Sequence, residues 1–219
     1  GTASLLRASV EAGARRLVGE SFAGVYGTAS FESPRDEEAP LPPVPAKGSL
    51  RKAVLAMRSL EEQLAEARRS GRIDTVVLRF GPIYGPEVGS TLALARQLRR
   101  RQVFIPRVAP GVASFVHVDD AASAILAALE SPRPGAVYNV VDDEPMGIAD
   151  YLRLSAAAFG AAPPRTAPVW LVRLAAPLVA AAAVTRLPLS NARARRELGW
   201  RPAYPSLREG LRQVASRIS

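Results

Sequence analysis

Leu50, Val54, Met57, Leu60 and Leu64 recur at steps of three and four residues, which puts them on one face of a helix. Ser49 stands before this face as a candidate N-cap and Gly71 just beyond it as a stop. The pattern predicts a helix from Ser49 to about Ser70. The period then changes. Residues 75–80, TVVLRF, form a nearly continuous apolar run, the pattern of a strand in a parallel sheet covered on both faces. Arg79 ends that run and needs a partner inside the fold; an internal carboxylate is the expected one.

The same two patterns alternate along the rest of the chain. Leu5, Leu6 and Val10 mark a helix over 2–12 with Gly13 as its stop, and 16–19 reads as a short strand. Residues 28–48 are rich in proline, glutamate and serine and predict a long surface loop. Residues 91–101 read as a basic helix and 114–118 as a strand. Asp119 is expected to cap an alanine-rich helix ending near Glu130, with Asp120 as an acidic neighbour in its first turn. A strand at 136–141, helices at 147–159 and 168–184, and a short helix at 191–198 closed by Gly199 complete the reading. Alternating helices and strands, with no internal repeat, indicate an α/β domain with crossover helices.

Composition narrows the chemistry. The 219 residues are 48% hydrophobic, enough to bury a substantial core. With no cysteine there is no disulfide framework, thiolate metal site or cysteine nucleophile, and a reducing cytoplasm fits. The net charge of +9 comes from 27 arginines and only Lys47 and Lys52, and reads as a solvated basic surface. Arg99-Arg100-Arg101 has no interleaved aromatic residue, so nucleic acid is not the expected partner. The most apolar stretch, 168–184, holds Arg173 and Pro177 and falls short of the ~20 apolar residues of a membrane span. A buried helix kinked at Pro177 is expected there, and no membrane partner. The amino-terminal residues lack the features of a signal peptide.

Five stretches in order carry a family resemblance: SFAGVYG (21–27), VVLRFGPIYGP (76–86), FVHVDDAASAILAAL (115–129), YNVVDDEP (138–145) and ARARRELGWRPAYPSLREGL (192–211). Together they resemble the NAD-dependent epimerase/dehydratase family of the extended short-chain dehydrogenase/reductase superfamily, whose members act on nucleotide sugars. The resemblance implies an α/β fold, the C-terminal portion of a Rossmann-like doubly wound parallel sheet with a small, mostly helical substrate lobe. It implies a partial dinucleotide domain at 1–86, rejoined by about 114–141, and a lobe of 87–113 and 142–219. NAD or NADP is the implied cofactor, with Ser21, Gly81, Pro82 and Ile83 toward its nicotinamide end and Tyr84 toward a small-molecule substrate. The helix at 49–70 is the implied homodimer face.

The chain also departs from the family pattern. No glycine-rich turn after a strand is present to hold a pyrophosphate, and GTASLLRA resembles the family's helix after the fourth strand. Roughly 80–100 residues precede that point in such a fold, so a fragment that binds dinucleotide poorly is expected. The family's chemistry uses a tyrosine and a lysine one helical turn apart. Here no tyrosine lies between Tyr26 and Tyr84, and if Glu61 marks the family's glutamate, Ala53 and Met57 stand where the pair belongs. Phe22 occupies the catalytic Ser/Thr position, with Ser21 beside it as a weak catalytic candidate. Pro82 replaces the asparagine that touches the sugar nucleotide, and Ala113 the arginine that grips its phosphate.

Single residues have plainer readings. Ser21 either satisfies a local backbone group or bonds a ligand at the strand edge. His117, the only histidine, reads as a packed strand residue rather than a metal ligand, and Trp200 as a packing anchor. The intact protein is expected to be an oxidoreductase-like or epimerase-like enzyme for a sugar nucleotide or related small molecule, with non-standard or lost catalytic residues. The alternatives are a non-catalytic NAD(P)-binding sensor or regulator, and an inactive fragment.

Overall fold

The computed structural model describes residues 1–27, 29–45, 49–130, 133–175 and 177–218, without the side chains of 49, 50, 175 and 177–179. Thr28, Lys47 and Gly48, and the side chain of the expected Ser49 cap, therefore lie outside what is described.

Three parallel strands form the central sheet, with Asp74–Phe80 between Arg16–Phe22 and Val137–Val140. The middle strand is apolar on both faces because both are covered. Val76, Leu78 and Phe80 pack with Ala121, Ala124 and Ala128 of the Val118–Leu129 helix. On the other face Val77 packs with Leu64 and Ala67 of the Ser49–Arg69 helix, and the Thr75 hydroxyl donates to the Leu64 carbonyl at 3.2 Å. Gly19 lets that helix settle onto the first strand, since a Cβ there would fall on a Leu64 methyl. The expected stops hold, with the first helix at Thr2–Glu11 and Gly13 and Gly199 at positive φ of 71° and 64°; of that helix's expected apolar face Leu6 is buried, while Leu5 and Val10 are exposed.

Some expectations are corrected. The first strand runs on to Phe22, so Ser21 lies within it. The predicted 114–118 strand shrinks to Val116–His117, paired with Ile83–Tyr84. Asp119 does not cap the following helix; His117 does, its Nδ1 accepting from the Asp119 N–H at 3.2 Å. Asp120 instead accepts from the backbone N–H groups of Ala203 and Tyr204 at 2.6 and 3.0 Å, fixing the carboxy-terminal segment. Trp200 is an anchor, buried against that alanine-rich helix with its indole N–H on Ser123 Oγ at 2.9 Å.

The 168–184 region is not a buried helix. Helix is described over Val169–Ala175 and Pro177–Ala182, on either side of residue 176, which lies outside the described residues, as does the side chain of Pro177. Val172 and Ala180 pack inward with Ala167, and Ala183 is buried in a larger core, while Trp170 and Leu174 remain 69% and 79% exposed. The 29–45 loop, in contrast, is tied down. Backbone hydrogen bonds of 2.8–3.0 Å join Phe31 to Arg186, Arg35 to Pro188, and Ser190 to Arg35. Glu37 reaches across to accept the Asn139 N–H on the outer edge of the Val137–Val140 strand at 2.6 Å.

Candidate functional site

Parallel register sets the site. Ser21 pairs with Arg79 and Arg79 with Asn139, so a row of three polar residues crosses the sheet, each at the penultimate position of its strand. Registered residues in parallel strands share a face, and here it is the face covered by the Ser49–Arg69 helix. All three are buried, so each must find a partner.

Glu61 supplies the first. Arg79 grips it with two bonds, Nε to Oε1 at 2.9 Å and Nη2 to Oε2 at 2.7 Å. The Ser21 hydroxyl donates to the same Oε1 at 2.6 Å. Arg79 Nη1 also donates to Tyr26 OH at 3.0 Å, and Tyr26 OH donates to Asn139 Oδ1 at 3.0 Å. The Asn139 amide is oriented by its Nδ2, which faces the carbonyls of Arg35 and Ser190 at 3.3 and 3.4 Å. Burial raises the Tyr26 phenol above its ordinary pKa despite the pull of Arg79, so Tyr26 keeps its proton. Burial alone would lower the Arg79 pKa; the paired Glu61 carboxylate outweighs it, and the guanidinium stays charged.

The consequence is a cluster whose protons all point inward. Ser21 has one proton and gives it to Glu61; Tyr26 gives its proton to Asn139. Toward a ligand, Ser21 offers only lone pairs. At the final strand position the Phe22 ring folds over Gly24 and stays 45% exposed, an apolar wall at the carboxyl edge. Ala53 is exposed on the covering helix, and Met57, one turn on, packs with Tyr26 and Val25.

The neighbouring turn is built largely for the protein itself. The Gly81 N–H donates to the Val140 carbonyl at 3.2 Å, and the Pro82 carbonyl accepts from Val116 N at 3.2 Å. A Cβ at Gly81 would fall on the Ser114 carbonyl oxygen. The glycine therefore serves close backbone packing, and its N–H is already used. Ile83 is half-buried in the sheet core, and Tyr84 is buried in a second hydrophobic core with Phe115, Leu152 and Leu211, its hydroxyl against Gly210 and its pKa raised by burial. His117 is fully buried between Tyr84 and Tyr204, its Nε2 3.2 Å from Gln213 Oε1. A cleft of about 700 Å³ lies between the Thr2–Glu11 and Ser49–Arg69 helices and includes none of these strand-edge residues.

Residues 1–141 match the NAD dependent epimerase/dehydratase family. The chain belongs to that family. The 3-diazoavenalumate denitrifying reductase of a Streptomyces species is 40% identical over 215 residues, covering 96% of this chain and 68% of the relative. The UDP-glucose 4-epimerase of Thermus thermophilus, solved with NAD, superposes at a TM-score of 0.78 with 24% identity, covering 99% of this chain and 68% of its own. DesIV, a dTDP-glucose 4,6-dehydratase from Streptomyces venezuelae also solved with NAD, gives 0.78 at 22% identity, covering 98% and 63%. These likenesses establish the Rossmann-type α/β fold of the epimerases and dehydratases, and the family's cofactor is NAD.

The sequence singled out Ser21 and Arg79 but not what joins them. Glu61 falls between Met57 and Leu64 on the apolar helix face, and a lone carboxylate there is a signal for a buried partner. Nothing in the pattern around Asn139 marks it as the end of the row.

Proposed function

We propose that this protein is an NAD(P)H-dependent reductase that passes hydride to a flat electrophile whose reduction takes no proton from the protein. The substrate class is an aryl diazonium carrying an acid group. The observation that carries this reading is the inward commitment of the Ser21 and Tyr26 protons, with Ala53 and Met57 where a tyrosine and lysine would stand. When bound, the nicotinamide supplies hydride; on a carbonyl this leaves an alkoxide that needs a proton, whereas on an aryl diazonium the C–H bond forms as the C–N bond breaks and N2 departs with its electron pair. The diazo acid, nitrogen loss and reduction in the relative's name support the same chemistry.

The residues present suit the ring end of the cofactor. In this reading Ser21, held as an acceptor by Glu61, takes an amide N–H, and Gly81, Pro82 and Ile83 frame the edge by shape; the Ser21–Glu61 bond supports the acceptor role. No glycine-rich strand-turn-helix for the pyrophosphate occurs in these 219 residues. Phe22 gives an aromatic substrate an apolar ring to pack on. The Ser49–Arg69 helix is the face for a homodimer, which light scattering before and after a Leu55→Glu change would test; Leu55 is exposed on that helix.

The full-length protein is to be assayed with NADH and NADPH deuterated at the transferring carbon. A hydroxyaryl diazonium carboxylic acid is expected to yield N2 and an arene carrying deuterium at the vacated carbon. Turnover of a UDP-sugar instead, or cofactor binding without turnover of either, would replace this reading with an epimerase or a sensor.

A further inference from the structure

The charge of the chain is unevenly placed. Residues 88–118 and 151–196 contain twelve arginines and no acidic residue, while the remaining residues hold 17 basic and 20 acidic side chains. The two stretches fold onto each other. Phe104–Pro106 pairs in parallel with Arg165–Ala167, Arg107 N bonds the Ala167 carbonyl at 3.0 Å, and Gly111 N bonds the Ala183 carbonyl at 2.7 Å. The side chains of Arg100, Arg101, Arg107, Arg165 and Arg173 are exposed and make no ion pair or hydrogen bond among the described residues.

The same lobe exposes large apolar side chains. Trp170, Leu174 and Val108 are 69%, 79% and 64% exposed, and Leu171, Phe104 and Val184 are also open. Phe104 sits opposite Arg165 in register, and the Arg107 N–H is bonded to the residue three before Trp170, so these arginines and apolar residues lie on neighbouring segments. No helix of the described residues is long and apolar enough to cross a membrane. Contiguous exposed apolar surface with cationic surroundings is the make-up of an element that lies in a bilayer interface, with its tryptophan at headgroup depth.

We propose that this lobe docks on an anionic phospholipid surface, the Val169–Ala175 and Pro177–Ala182 helices lying in the interface with Trp170 and Leu174 inserted and Arg101, Arg107, Arg165 and Arg173 on the phosphates. A second copy is disfavoured as the occupant because it would bring the exposed arginines at 100, 101, 107, 165 and 173, which have no ion pair among the described residues, against the same five. Nucleic acid would leave Leu174 and Val108 in water. The contact is independent of the reductase reading.

The test is sedimentation of the full-length protein with vesicles of phosphatidylcholine alone and with about 30% phosphatidylglycerol, an anionic fraction that gives a measurable surface potential. Binding to the anionic vesicles alone is expected, weakening at high salt. Tryptophan emission is expected to shift to the blue on binding, and the shift to vanish in Trp170→Phe, since Trp200 is already buried. Arg107→Gln, Arg165→Gln and Arg173→Gln are each expected to weaken binding about fivefold, and Leu174→Glu to abolish it. Equal binding to both vesicle types, or none, overturns the proposal. So does a wild-type protein that ignores lipid while Leu174→Glu halves its mass in light scattering, which would make the surface a self-association face.

Discussion

Glu61 is one carboxylate serving two strands, and most of the site's behaviour follows from it. Its two oxygens hold the Arg79 fork and the Ser21 hydroxyl in a buried setting, where neither charge has water to fall back on. Arg79→Met should cost about 3–5 kcal/mol in urea unfolding, because it leaves Glu61 buried and unpaired. The double change Arg79→Met with Glu61→Leu should recover most of that loss; purely additive losses would show that the two side chains are not coupled. That Arg79 would meet a carboxylate was legible from a charge at the end of an apolar strand. Which carboxylate was not, because the pairing joins residues on different elements and depends on how the helix is rotated over the sheet. Ser21 shows the same limit: its need for a partner was legible, but its role as acceptor rather than donor comes from a bond across 40 residues.

Elements were easiest to read where one period persists. The Ser49–Arg69 helix and the Asp74–Phe80 strand follow their sequence patterns closely, since tertiary burial and local pattern agree. At 168–184 the described residues are helical but only partly buried, because hydrophobic composition alone does not say which side of a helix finds a partner. Gly81 is subtler. Its sequence setting points to close approach by a flat ligand, and the structure shows close approach by the Ser114 carbonyl and by Val141 Cγ1 at 3.0 Å. Gly81→Ala should therefore destabilise the protein by about 1–3 kcal/mol, the usual range for overpacking. Gly89→Ala is the control: a Cβ there meets nothing within 4 Å. Equal thermal midpoints for the two variants would mean the turn yields freely and the glycine is there for another reason.

Across the whole molecule, Asp142 joins the sheet to the last helix. It follows the Val137–Val140 strand, its own N–H bonds the Phe115 carbonyl at 2.7 Å, and its carboxyl lies near the N–H groups of Phe115 and Leu207 without forming a hydrogen bond of good geometry. Burial, then Asp143 and Glu144, push it from 3.8 up to about 8. The folded state thus keeps a proton that the unfolded chain gives up, so this contribution is full below the ordinary carboxylate range and is lost as pH rises toward 8. Asp142→Asn should flatten the fall in thermal midpoint between about pH 5 and pH 9; an equally steep fall in the variant would assign the pH dependence to other groups. At the scale of the sheet, the Glu37 carboxylate on Asn139 N has a further effect. It occupies a donor that an incoming strand would need, while the outer side of Arg16–Phe22 carries no backbone hydrogen bond among the described residues. The two sides of the sheet therefore differ: among the described residues the Arg16–Phe22 side is open to a further strand, while a single acidic plug obstructs β-sheet polymerisation on the other.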